Sequence, residues 1–177
     1  MKHYKETDRT ASLLRLVPGL FSTRYKSVLY IGARSDRFDY GDEFKHFNYK
    51  ITILEAWEDN VEYLRTEMPT IEVIHGEVQN VTIEEKFDVV FWWHGPEHVP
   101  EDQLSDTINK IEKWAKKVVI MGCPWGHRRQ KAIQGNPYER HVSHLLYPFF
   151  EEKGYTVECL GVKNGGTSHI TAVKYVG

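Results

Sequence analysis

The chain has 177 residues, with 23 Lys plus Arg against 25 Asp plus Glu and a formal net charge of -2 at pH 7. That length suits one domain, and the near balance of charge gives no strong nucleic-acid signal. Its two cysteines, Cys123 and Cys159, make neither a CxxC pair nor a disulfide-rich pattern, which points to a reducing compartment and to small core residues.

The first ten residues are charged, and the apolar stretch at 13–21 is interrupted by Arg15 and Pro18, so it does not make a secretory signal core. No apolar run approaches the roughly 18 residues that a membrane span needs. A soluble, cytoplasmic protein is expected, without a membrane partner.

A β-rich run at 27–31 closes at Gly32. Residues 51–54 read as a second strand ending at Glu55, and 57–68 as a helix with Val61 and Leu64 on one face, stopped by Pro69. A third strand, 71–74, ends at His75 and Gly76. The run 87–92 is almost continuously apolar, as expected of a central strand buried on both faces. Residues 102–114 read as a helix with Leu104, Ile108 and Ile111 on one side, and 118–121 as a fifth strand.

This alternation implies a parallel sheet with right-handed crossovers. After a helix at 145–153, the segments 155–162 and 168–176 flank the turn-rich Lys163, Asn164, Gly165 and Gly166, a hairpin signal. The expected fold is therefore α/β and doubly wound, with a mostly parallel seven-stranded sheet, a C-terminal antiparallel hairpin and helices on both faces. The whole of 1–177 is expected to form one domain, with no internal repeat.

The segments VLYIGARSD (28–36), ILEAW (53–57), HGEV (75–78) and FDVVFWWHGPEHV (87–99) resemble, in order and spacing, the cofactor motifs of class I S-adenosylmethionine-dependent methyltransferases. The resemblance runs from about residue 27 to the final hairpin. Ligands of an open α/β sheet bind at the carboxyl ends of the strands, near the switch point, and all four segments end there. The resemblance implies S-adenosyl-L-methionine as cofactor, with Gly32, Ala33 and Arg34 beside its methionine portion. Gly32 permits a tight turn, but the family's later glycines are replaced by Arg34 and Asp36, whose side chains narrow that space or redirect the loop. Arg34 either pairs with the cofactor carboxylate or joins Asp36 and Arg37 in a solvated charge cluster.

Glu55 stands where the family has an acidic residue that accepts hydrogen bonds from both ribose hydroxyls, a task suited to an acceptor-only carboxylate. Its competing role is a helix-start carboxylate facing the helix dipole. Ala56 adjoins it, and Trp57 either covers the adenine or packs. Gly76, Glu77 and Val78 correspond to the adenine contact, although Glu77 replaces the more frequent Asp and equally suits an exposed loop. Trp92 and Trp93 resemble the aromatic loop that lines the cofactor. His94 follows them toward the expected reaction centre, while His98 reads as a packing residue.

Beyond the fifth strand, PWGHRRQK (124–131) either holds an anionic substrate or forms solvated surface, and QGNPYERHVSH (134–144) continues a long loop of the kind that builds substrate sites. His141 in that loop and His94 are the expected catalytic bases, since imidazole titrates near neutrality. Little more is required, because the cofactor brings an activated leaving group and the protein mainly aligns the nucleophile and excludes water. A metal held by His94, His98, His141 and His144 with Glu97, converging from two loops, is the minority reading, because their spacing matches no strong zinc signature such as HExxH, and no metal site is assigned.

The resemblance thus implies methyl transfer to a small-molecule acceptor. A noncatalytic cofactor-binding or scaffold protein with a degenerate methyltransferase fold is the alternative. A nicotinamide-dependent oxidoreductase is disfavoured by the missing GxGxxG pattern and by the hairpin. On this reading 1–26 is an N-terminal helical cap that either covers the cofactor or packs on the sheet edge. Residues 27–123 form the cofactor-binding half, and 124–177 supply the substrate loop, a helix and the terminal hairpin.

Overall fold

A computed structural model of the chain describes residues 3–4, 9–33, 47–161 and 169–177. The first half holds β1 (His3–Tyr4), α1 (Arg9–Leu16), β2 (Ser27–Ile31), β3 (Lys50–Glu55), α2 (Glu58–Glu67) and β4 (Glu72–His75). The second holds β5 (Phe87–Trp93), α3 (Glu101–Trp114), β6 (Ala115–Pro124), α4 (Tyr147–Glu152), β7 (Thr156–Leu160) and β8 (His169–Tyr175). Arg34, Asp36 and Arg37, and the turn Lys163 to Gly166, lie outside the described residues.

The strands form one sheet in the order β1-β7-β8-β6-β5-β2-β3-β4. β8 runs antiparallel to both neighbours and every other pairing is parallel. The expected seven strands and terminal hairpin are all present, and the two-residue β1 adds itself to the β7 edge. β6 is longer than its apolar centre because the exposed Lys116 and Lys117 belong to it. Among the described residues, no helix is long and apolar enough to cross a membrane.

All seven residues of β5 are buried, and alternation sends its side chains into two cores. Val90 and Trp92 meet Leu104, Ile108 and Ile111 of α3 on one face. Val89, Phe91 and Trp93 meet Leu13, Val17, Leu20 and Phe47 on the other. The three α3 residues recur at helical spacing and are fully buried, each worth about 1.5–3 kcal/mol relative to exposure. From β2 the chain steps outward through β3 to β4, then returns to β5 on the other side of β2. The carboxyl ends of β2 and β5 therefore open the crevice where such sheets bind ligands.

Candidate functional site

At the end of β2, Gly32 donates its N–H to the Leu54 carbonyl at 2.8 Å. Its φ of +75° favours glycine, and a Cβ placed there would meet nothing within 4 Å. Bare backbone therefore borders open space. At the end of β3, Glu55 is only 4% exposed. Burial pushes its carboxyl up to about 7, and its Oε1 accepts the Trp57 N–H at 2.9 Å. At the end of β4, Gly76 donates to the Glu55 carbonyl at 2.9 Å, and Glu77 accepts from the Gln79 amide at 2.5 Å. These strand ends border a cleft with about 590 Å³ of empty space, solvent at its mouth included.

Of the residues expected around a cofactor, Gly32, Glu55, Ala56, Gly76, Glu77, Val78 and Trp92 line this cleft together, and His94 joins them. Ala33 is buried in the core behind Gly32. Trp57 is the N-cap of α2, with φ -87° and ψ 122°, and its contribution is the backbone N–H to Glu55. Trp93 corrects the expectation that both tryptophans face the cleft. It stacks on Phe91 with ring centroids 5.4 Å apart and lies 4.6 Å from the ring of His169. Consecutive strand residues point to opposite faces. Trp92 consequently lies over Gly95 on the cleft side and Trp93 over Gly122 behind, where in each case a Cβ would collide with the indole.

His94 leaves β5 with φ 52°, a left-handed conformation uncommon outside glycine, and donates its N–H to the Gly122 carbonyl at 2.7 Å. A single 3-10 turn, Pro96–His98, follows. The long loop after β6 is tied to this segment. Val142 and Ser143 donate their N–H groups to the Glu97 carbonyl at 2.9 and 3.1 Å, the Ser143 hydroxyl donates to the Val99 carbonyl at 2.5 Å, and His98 Nδ1 donates to the Arg140 carbonyl at 3.0 Å. So held, the loop brings Asn136, Tyr138 and Glu139 to the cleft wall.

A second, polar cavity of about 440 Å³ opens between the two segments, lined by Arg9, His94, Glu97, His98, Arg128, Gln130, Glu139 and His141 among others. His94, His98 and Glu139 border both spaces and form their shared wall. His141, expected beside His94, lines the polar cavity and not the cleft. Sequence reasoning missed Arg9, Asn136, Tyr138 and Glu139, which carry no local motif. His98, read from sequence as a packing residue or a member of a minority metal cluster, lines both spaces.

Glu97 is 2% exposed, and neither carboxylate oxygen has a hydrogen-bond partner. His94 Nδ1 lies 3.4 Å and His98 Nε2 3.8 Å from its Oε1. Burial opposes ionisation of Glu97, but these imidazoles outweigh it and hold the carboxyl below its ordinary range. An Arg9 Nη lies 3.1 Å from His94 Nε2. Guanidinium only donates, so Nε2 is the acceptor and the ring proton of neutral His94 sits on Nδ1, toward Glu97.

The other two imidazoles are fixed by their carbonyl partners. Nδ1 of His98 and Nδ1 of His141 face carbonyls, Arg140 at 3.0 Å and Arg128 at 2.7 Å. A carbonyl only accepts, so each Nδ1 carries a proton and each neutral ring keeps its lone pair on Nε2. Burial lowers the pKa of His141, favouring that neutral form. His169 lies behind the site, fully buried with neither ring nitrogen hydrogen-bonded. Burial, then the charges of His94 and Arg9, drive its pKa well below the ordinary value.

Neither a protein-family model nor a curated protein matches the chain. Solved structures do. The N-methyltransferase NodS from Bradyrhizobium japonicum WM9, in complex with S-adenosyl-l-homocysteine, is 14% identical with a TM-score of 0.66, covering 96% of this chain and 86% of that one. A DhpI-SAM-HEP complex is 17% identical with a TM-score of 0.64, over 94% and 85% of the two chains. The N-terminal domain of EvdMO1 with SAH bound is 17% identical with a TM-score of 0.64, over 95% and 79%. At these identities the likeness is one of fold, and the chain has the class I S-adenosylmethionine-dependent methyltransferase fold.

Proposed function

We propose that the chain transfers a methyl group from S-adenosyl-L-methionine, held in the cleft, to a small polar acceptor in the adjoining cavity. The observation that carries this reading is the buried Glu55 carboxyl at the end of β3, next to open space over the Gly32 backbone. A carboxyl that burial holds near neutrality gains most from a ligand bringing two hydroxyl donors to it. Ile31, Leu54, Val78 and Trp92 give the same cleft an apolar lining suited to a base and an alkyl chain.

When bound, the cofactor supplies a methyl group on a sulfonium leaving group. The chain's part is to orient and to exclude water. Glu55 holds the ribose, and the loop bearing Asn136 and Tyr138 covers the cleft. The shared wall of His94, His98 and Glu139 sets the acceptor against the methyl group. His94 has one nitrogen facing Arg9 and the other facing Glu97, so it is a positioning residue. His141 keeps an Nε2 lone pair for the acceptor cavity. Both histidines thus retain a part in the reaction, of different kinds.

Calorimetric titration with S-adenosyl-L-homocysteine tests the cofactor reading, with NAD as control. Saturable binding of the first and none of the second is the expected result, accompanied by thermal stabilisation. At a ligand concentration of about 100 times Kd that stabilisation amounts to about 2.7 kcal/mol. A chain whose melting does not respond to millimolar ligand refutes the reading.

A further inference from the structure

The geometry points to a binding site for one divalent first-row transition-metal cation, formed by Glu97, His98 and His141 in the polar cavity. One ligand atom from each of the three lies within 4.8 Å of the other two. With bonds of about 2.1 Å, ligand atoms around a cation stand roughly 3–3.5 Å apart. Small side-chain rotations close that gap. Local spacing alone did not single out these three among the histidines weighed with Glu97, because the third ligand arrives from the distant loop.

Two independent observations aim the group at a cation. The Glu97 carboxylate is buried, and both of its oxygens lack a hydrogen-bond partner, an arrangement that is strongly unfavourable unless a positive partner offsets it. His98 and His141 each use Nδ1–H on a backbone carbonyl. This is the outer-shell arrangement that fixes a metal-binding imidazole with Nε2 as its donor. In neutral His98 that lone pair faces Glu97 Oε1 across 3.8 Å. Two acceptors so placed are reconciled by a positive charge between them.

The donor set of two imidazole nitrogens and one carboxylate oxygen suits zinc, iron, cobalt or nickel, whereas magnesium and calcium favour all-oxygen sites. Arg9, Arg128 and Glu139 also line the cavity. His94 Nδ1 lies 3.4 Å from Glu97 Oε1. Three protein ligands leave coordination positions open, and His98 belongs to the wall shared with the cleft. An acceptor oxygen or nitrogen bound at an open position becomes more acidic and is held facing the cleft. Its proton then passes to water, the carbon–sulfur bond breaks with its pair left on sulfur, and the acceptor's pair forms the new bond to carbon. This catalytic use rests on the methyl-transfer reading; the cation site itself does not.

The test uses the untagged full chain, freed of metal by a chelator and titrated with Co²⁺ under calorimetry and visible absorption. One Co²⁺ per chain with ligand-field bands is expected, and Mg²⁺ is expected to give neither. His98→Ala and His141→Ala should each weaken Co²⁺ binding by at least about tenfold, the least that loss of even an outer-shell partner costs. His144→Ala alters a separate pair, in which the His127 and His144 rings are tilted by 48° with centroids 3.9 Å apart, and should change nothing. Circular dichroism checks each fold, and the near-isosteric Glu97→Gln gives the same reading should an alanine variant fail to fold. Absence of stoichiometric binding by the parent, or binding that survives the cluster variants, overturns the site. The same metal-free chain titrated with S-adenosyl-L-homocysteine separates the two claims. That ligand binding without Co²⁺ binding removes the cation site alone, and the reverse result removes the methyl-donor reading alone.

Discussion

Glu55→Gln separates what a buried carboxylate costs the free protein from what it contributes to a complex. Burial raises this group from 4.5 to about 7. Between those values the native state retains a proton that the unfolded chain releases, so stability attributable to Glu55 is fully present below pH 4.5 and is lost as pH rises through about 7. At about 1.4 kcal/mol per pH unit the full effect is about 3 kcal/mol, of which roughly 2–3 kcal/mol falls between pH 5 and pH 8. Glutamine has no charge to desolvate, and its carbonyl still accepts the Trp57 N–H. Urea denaturation of parent and variant at the two pH values should show the variant gaining on the parent by that amount. With S-adenosyl-L-homocysteine the variant should bind about tenfold more weakly or worse, since charged hydrogen bonds contribute about 1.5–3 kcal/mol each. A variant that tracks the parent at both pH values, or binds as tightly, refutes the reasoning.

The same carboxyl should make cofactor affinity pH-dependent. Binding that requires the ionised form releases a proton near neutrality, so affinity should strengthen as pH rises through about 7, and calorimetry in buffers of different ionisation heat should detect that proton. Gly32→Ala forces a Cβ into φ +75°, at a cost of about 1–2 kcal/mol. Its methyl group also intrudes on the cleft, so ligand affinity should fall while the folded chain remains soluble and helical by circular dichroism. Gly95→Ala drives a Cβ into the Trp92 indole; thermal denaturation should show about 1–3 kcal/mol lost, with a shift in tryptophan fluorescence, and an unchanged spectrum would contradict the packing.

The architecture was legible because its central elements carry strong patterns. The apolar run of β5 announced a strand buried on both faces, and α3 set Leu104, Ile108 and Ile111 at helical spacing. Gly32, Glu55 and Gly76 line the cleft together because each closes such a strand. β1, with two residues, is too short to show periodicity. Trp93 was misplaced because a resemblance names a segment without naming its face, which alternation along β5 decides. The polar cavity was least legible. Arg9 lies 85 residues from His94, and the loop carrying His141 is held mainly through backbone carbonyls, which any residue type supplies.

That mode of attachment bears on how the site can change. The loop hangs from the peptide oxygen of Glu97, through Val142 and Ser143, while the carboxylate of the same residue faces the cavity. Support and chemistry are thus divided within one amino acid. Position 97 can exchange its functional group while the hinge of the covering segment stays in place. A lineage, or an engineer, can therefore retune the cavity for another ligand by one side-chain replacement, without first inventing a new way to close it.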